Sequence, residues 1–295
     1  MIEVLPAVLI NGLLVGGVLA LIALGLNIQY GVGRVFNIAH GEFIMLGAFI
    51  TTTLFTLTGS VKIDPLVSLA ISGPFLFLIG FILYRTLFTS LRNRAPSPAA
   101  FEGSSLLAAF GLIFVIQNIA ILIWGGRTRV YLWPHDFAIP FAGTVFRASQ
   151  VIAFALAIAI GVAFYVFVTR SRLGKAIRAA AQDPATAGLM GINTNMVLAL
   201  CFGFGALLAG LAGSLISMYS SISEVMGLGY AIGAIIVMVL GGLGSIPGSF
   251  IGGFIIGIIG SVVTYYEPAL VIPAYYTLFL ILLLVRPQGL LGKGK

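Results

Sequence analysis

Apolar runs of membrane-crossing length, separated by short polar interruptions, dominate this 295-residue chain. A helix needs roughly 17–25 such residues to cross a hydrocarbon core about 30 Å thick. The pattern predicts crossing segments near Pro6–Ile28, Asn37–Leu57, Pro65–Tyr84, Ser104–Trp124, Val151–Val168 and Met196–Tyr219. A longer apolar stretch, Tyr230–Tyr265, is interrupted by GGLGSIPG at Gly241–Gly248 and reads as two helices or half-helices joined at that break. A last segment covers Leu270–Val285. The expected fold is all-α, a polytopic transmembrane helix bundle of about 8–9 membrane segments including the Gly-broken one. Residues 1–295 form a single transmembrane domain in this reading.

Against that background Gly174–Asn193, GKAIRAAAQDPATAGLMGIN, turns polar and basic. Irregular backbone cannot face lipid, because nothing there satisfies its N–H and C=O groups. The loop 169–195 is therefore expected in water at one membrane face. Asp183–Pro184 has the form of a helix start, with Asp as cap and Pro at the first helical position. It divides the loop into Lys175–Gln182 and Ala185–Met190, and Gly188 and Gly191 allow the chain to turn back.

Composition supports the membrane assignment: 60% of residues are hydrophobic, 8% are charged and 38 are glycine, which excludes an ordinary soluble domain. Small residues four apart (Gly12 and Gly16; Gly205, Ala209 and Gly213; Gly229 and Gly233; Gly248 and Gly252; Gly253 and Gly257) predict close helix packing. The net charge of +7 reads as topology rather than nucleic-acid binding, since Lys and Arg collect in cytoplasmic loops. Placing loop 169–195 in the cytoplasm puts Arg34, Arg85, Arg92, Arg94, Arg170, Arg172, Lys175, Arg178, Arg286, Lys293 and Lys295 inside. Only Lys62, Arg127, Arg129 and Arg147 then lie outside, with the acids Glu3, Asp64, Asp136, Glu224 and Glu267. Trp124, Tyr131 and Trp133 suit the outer interface. The amino end is expected outside, the carboxyl end inside, and no cleaved leader is expected from a start bearing Glu3 and no basic run. Asn93–Gly103, NRAPSPAAFEG, is the one Pro- and Ser-rich linker.

Catalytic constellations are missing. No Gly-Lys-Ser/Thr phosphate loop, His-Glu-x-x-His site, serine elbow or clustered Asp pair occurs. His40 and His135 are the only histidines, and the lone Cys201 sits in an apolar segment as a packing residue. No catalytic residue, metal or cofactor is expected, so an active pump of this kind would draw its energy from a partner or an ion gradient. An ion-coupled carrier needs intramembrane ionisable groups. The only apolar-flanked acid is Glu42, placed by the pattern one or two turns inside the cytoplasmic boundary. Asn37 can cap the second segment, and Glu42 suits a helix start. Alternatively Asn37, His40 and Glu42 contribute to a gate or solute pathway. Asn27, Gln29, Gln117 and Asn118 read as interhelical hydrogen-bond partners, while Gly242, Gly244 and Ser245 at the broken segment can offer backbone groups to a solute.

Four separated segments carry a family resemblance: GLNIQYGVGRVFNIAHGEFIMLGAF (Gly25–Phe49), GKAIRAAAQDPATAGLMGIN, GGLGSIPGSFIGG and VRPQGLLGK. In this order and spacing the chain resembles, over almost its whole length, LivH-type permease subunits of branched-chain amino-acid ABC importers. Urea permeases share the Asn-x-Ala-His-Gly-Glu segment and the loop. The resemblance implies a bacterial inner-membrane permease that pairs with a homologous second permease, two cytosolic ABC ATPase subunits and a periplasmic solute-binding protein. It further implies that the polar loop is a coupling helix seated on an ATPase, with Lys175, Arg178, Ala179, Ala180, Asp183, Ala187 and Gly191 as its contact set. Related sequences usually carry an acid before the Asp, where this chain has Gln182. Rival readings are a urea or short-amide permease of the same superfamily, an ATPase-independent channel or ion-coupled carrier, and a membrane enzyme.

Overall fold

A computed structural model describes residues 5–57, 63–141, 144–286 and 288–292. Its helices are α1 (Leu5–Gly33), α2 (His40–Leu57), α3 (Pro65–Leu83), α4 (Thr89–Arg94), α5 (Pro98–Trp124), α6 (Ala148–Arg170), α7 (Arg172–Gln182), α8 (Pro184–Leu189), α9 (Thr194–Ser217), α10 (Met226–Gly241), α11 (Ile246–Tyr266) and α12 (Val271–Val285). The all-α bundle is thus as the pattern predicts. Among the described residues seven helices are long and apolar enough to cross a membrane, with α3 and α4 counted as one. Outside those seven are the shorter apolar α10 and the 18-residue α2, which opens on His40, Gly41 and Glu42. The positions Glu3, Lys62, Lys293 and Lys295 used in the charge reading lie outside the described residues.

Local chemistry sets the helix ends. Asp64, Ser97, Ser171, Asn193 and Ser245 each accept a hydrogen bond from a backbone N–H of the following first turn. Pro65 and Pro98 sit where a helix has no use for an N–H. The Pro/Ser linker is shorter than the pattern predicts. Helix runs from Pro65 to Arg94 through a π-helical turn at Tyr84–Phe88 and restarts at Pro98. The expectation missed one element, an antiparallel pair of β1 (Ala138–Phe141) and β2 (Thr144–Arg147), in register Ala138 with Arg147 and Ile139 with Phe146. Four-residue strands carrying a proline leave little periodicity to read.

Backbone-to-backbone approach builds the core. α1 and α11 run antiparallel, and a Cβ on Gly16 would lie 2.9 Å from the Gly253 carbonyl oxygen. α2 and α9 meet where Gly47 faces Gly210 and Gly213 faces the Ile44 carbonyl. Ser72 and Ser214 join α3 to α9 at 2.9 Å, and the Ser214 hydroxyl also reaches the Gly47 carbonyl at 3.2 Å. Without a hydrophobic drive between helices in lipid, such contacts supply much of the adhesion. Gly229 and Gly233 behave otherwise: Gly229 has open space where a Cβ would be, and Gly233 meets only Leu19 at 3.8 Å. At the periphery α3, α5, α6 and α12 display apolar side chains such as Leu107, Leu122 and Leu284, as a surface bathed in acyl chains requires.

The contacts also sort the loops into two ends. Gly31 lies against Gly244, α7 packs on α1 and α9, and the Arg85 guanidinium reaches Met196 Sδ at 3.8 Å, all at one end. The other end holds the β-pair, the Arg129–Ile222 bridge and the Trp133 Nε1–Asp64 bond of 3.1 Å.

Candidate functional site

The loop between α6 and α9 folds as two short helices, divided where the sequence predicts. The Asp183 side chain accepts from Ala185 N at 2.9 Å and Thr186 N at 3.3 Å, with Pro184 opening α8. Hydrogen bonds, first from the Thr186 hydroxyl and then from these N–H groups, hold the Asp183 carboxyl below its ordinary range. Its cap is therefore complete above the usual carboxylate pKa and is lost only as pH falls through the lowered value. Gly191, at φ 82, turns the chain back toward α9.

α7 is locked to α6. Ser171 caps it through Gly174 N at 2.8 Å, Gly174 lies against Val168 with no room for a Cβ, and the Arg178 guanidinium donates to the Val168 carbonyl oxygen. Ile177 and Ala180 of α7, and Ala187 of α8, are buried against the chain. Of the seven residues assigned to coupling, Lys175, Arg178, Asp183 and Gly191 are exposed, Ala179 is half-buried, and Ala180 and Ala187 face inward as anchors. The sequence reading overlooked Leu189 and Met190, which are 88% and 79% exposed at the tip of the loop.

The second assembly lies deep in the bundle. The chain leaves α1 through Arg34 in the left-handed region (φ 53), a conformation costly for a side chain with Cβ. It then runs non-helically, with Val35, Asn37 and Ala39 buried and Phe36 and Ile38 half-buried, before α2 starts. His40 Nε2 donates to the Ile22 carbonyl at 3.0 Å. Ile22 stands eleven residues up α1 from Gly33, or about 16 Å at 1.5 Å per residue. His40 and Glu42 therefore sit well inside the bundle, where the uninterrupted apolar run had placed Glu42 only one or two turns in. Asn37 does not cap α2 with its side chain; its Nδ2 donates to Gln29 Oε1 at 3.1 Å, and Gln29 Nε2 donates to the Phe202 carbonyl at 3.1 Å. Gln117 Nε2 donates to Glu42 Oε1 at 3.2 Å. Asn118 Nδ2 donates within its own helix, to Phe114 O at 2.8 Å, and the exposed side chain makes no interhelical hydrogen bond among the described residues. Asn37 Oδ1, His40 Nδ1 and Glu42 Oε2 are buried with no hydrogen-bond partner among the described residues.

Beside this core, Gly242–Ser245 separates α10 from α11, and Asn27 of α1 ties the break together. Its Nδ2 donates to Ser245 O (2.9 Å) and Ser249 Oγ (2.8 Å), and its Oδ1 accepts from Gly244 N (2.5 Å). The segment after α12 closes over the same place, with Leu290 N donating to Leu240 O and Leu291 N to Gly241 O. Backbone groups of Gly242, Gly244 and Ser245 are thus engaged within the chain. Asn27→Ala is expected to lower stability by about 1–3 kcal/mol, the scale of leaving a buried polar group unmade. A melting temperature of the detergent-solubilised protein unchanged from the parent would contradict that role.

A packed bundle of long apolar helices, interrupted by non-helical backbone at depth and carrying a two-helix loop at one end, defines the class as a polytopic helical membrane protein. Residues 8–286 match the family described as "Branched-chain amino acid transport system / permease component", and the chain belongs to that family. It is 34% identical to the high-affinity branched-chain amino acid transport system permease protein BraD of Pseudomonas aeruginosa, over 97% of this chain and 95% of that one. Identity to the corresponding protein LivH of Escherichia coli K12 is 32% over 96% and 94%, and to a probable LivH of Methanocaldococcus jannaschii 28% over 97% and 92%.

Proposed function

We propose that this chain is the membrane-spanning subunit of an ATP-driven importer for branched-chain amino acids, working with a homologous permease, two cytosolic ATPases and an external solute receptor. The substrate class follows that of the full-length relatives. The loop α7–α8 is the piece an ATPase grips, and the exposure of Leu189 and Met190 carries this reading. Two large apolar side chains at the tip of a basic loop offer a contact that a partner surface would cover. The basic end of the bundle is then cytoplasmic in a bacterial inner membrane.

Force applied to α8 passes through the Arg178–Val168 lock into α6, and through the burial of Ile177 and Ala180 into α1 and α9. α1 carries Asn27, Gln29 and the Ile22 carbonyl, so its displacement shifts the start of α2 and the α10–α11 break together. Asn37, His40 and Glu42, with Gly242, Gly244 and Ser245, flank the route that opens. The unpartnered atoms of Asn37, His40 and Glu42 would gain water or solute in the open state. Solute moves without covalent chemistry, released because the two states differ in affinity for it.

The test is uptake in proteoliposomes holding both permeases, the ATPases and the receptor. ATP-dependent accumulation of leucine, lost when the ATPases are omitted, is the expected result. Leucine entry through this chain without ATPases would establish a channel if it stops at equilibrium, or an ion-driven carrier if it accumulates with an ion gradient.

A further inference from the structure

At the end of the bundle opposite α7–α8 lies a cavity of about 580 Å³, within the size range of small-molecule sites. Its floor is the end of α9 and the following turn, and its walls are the stretch before β1 and the β-pair itself. Tyr131, Trp133 and Phe146 give it a buried aromatic side. Tyr131 bonds Ser217 Oγ at 2.9 Å, and burial pushes its phenol up to about 12, so that wall stays uncharged. Asp64 nearby is engaged by Trp133 Nε1 and Leu66 N.

One edge carries both signs of charge. Asp136 Oδ2 and Arg147 Nε stand 3.9 Å apart, the only ion pair among the described residues. The contact is loose and one-pointed. Asp136 Oδ1 accepts from Ser149 N at 3.0 Å, which fixes the carboxylate, while the Arg147 side chain is 61% exposed and its two terminal nitrogens have no partner among the described residues. A guanidinium with its fork free is suited to grip a carboxylate through two parallel hydrogen bonds. A fixed carboxylate within 4 Å of it suits an ammonium group carried on the neighbouring atom.

We infer that this cavity is a receiving site for a zwitterionic amino acid with an apolar side chain, its carboxylate on Arg147, its ammonium on Asp136 and its side chain against Tyr131, Trp133 and Phe146. A phosphate-bearing lipid headgroup would meet Asp136 with like charge, and a purely apolar guest would leave the ion pair unused. The inference rests on the import reading and extends it to a place on the permease where solute released by the receptor first binds.

The assembled complex in proteoliposomes tests it. Val145 lines the cavity at 67% exposure, whereas the native Cys201 is buried, so Val145→Cys supplies one reactive thiol in this chain. Modification by a membrane-impermeant maleimide should slow severalfold with leucine, and not with leucinamide or N-acetyl-leucine, which each lack one charge. Asp136→Asn keeps an acceptor for Ser149 N; it and Arg147→Gln should each abolish protection, measured as the ratio of that variant's own rates with and without leucine. No protection by leucine, or equal protection by all three compounds, would overturn the site. Uptake is measured in the same vesicles. Uptake without protection removes the cavity and leaves the import reading standing, while protection without uptake keeps the cavity and removes the transport reading.

Discussion

A variant carrying Arg178→Glu and Asp183→Arg should reach the membrane in normal amount, yet let the ATPases hydrolyse ATP with little solute movement. Arg178 is the polar link from α7 to the last turn of α6, where carbonyl groups lack helical partners and a cation is favoured. Glutamate there meets those carbonyls with the wrong sign. Asp183 caps α8, and caps of this kind contribute about 1 kcal/mol. Arginine removes the cap and reverses its charge. Coupling free energies of about 1–3 kcal/mol correspond to about 5–150-fold, so uptake per ATP should fall at least about fivefold. Neither residue is buried in the membrane core, so insertion should persist. Parental uptake with both changes present would remove the coupling role from this loop.

Gly213→Val should act on the bundle itself. Gly213 faces the Ile44 carbonyl with no space for a Cβ, and neighbouring Gly210 faces Gly47. Overpacking a tight core costs about 1–3 kcal/mol and more where the obstacle is backbone. Forcing α9 from α2 also breaks the Ser214–Gly47 bond and shifts the helix that holds His40 and Glu42. The expected result is a steep loss of folded protein, read as monodispersity after detergent extraction. Gly229→Ala is the control, since a methyl there enters open space. Equal behaviour of the two variants would contradict the packing account.

The helical bundle was legible because lipid imposes length and polarity on every crossing segment, so a count of apolar residues sufficed. The divided loop was legible for a similar reason: Asp183–Pro184 is a local signal needing no tertiary knowledge. The Gly-rich break between α10 and α11 also stood out. The entry into α2 did not. Its apolar run is continuous through Asn37–Leu57, and the turn that carries it inward depends on Arg34, a residue with no intrinsic preference for the left-handed region. What holds that turn lies outside its own apolar run: Ile22 and Gln29 on α1, Gln117 on α5 and Phe202 on α9. The inward orientation of Ala180 and Ala187 likewise depends on how the loop sits on the bundle, while Leu189 and Met190 read as ordinary apolar residues until their exposure is known.

The proposed engagement of the loop by a cytosolic ATPase is tested directly with Leu189→Cys, a thiol at the most exposed apolar position of the tip. An impermeant maleimide added to intact cells should leave it unmodified, and inverted membrane vesicles should be labelled only after the ATPases are stripped. Labelling from outside intact cells, or labelling in inverted vesicles unaffected by the ATPases, would contradict a loop that lies in the cytoplasm and is held there by its partner.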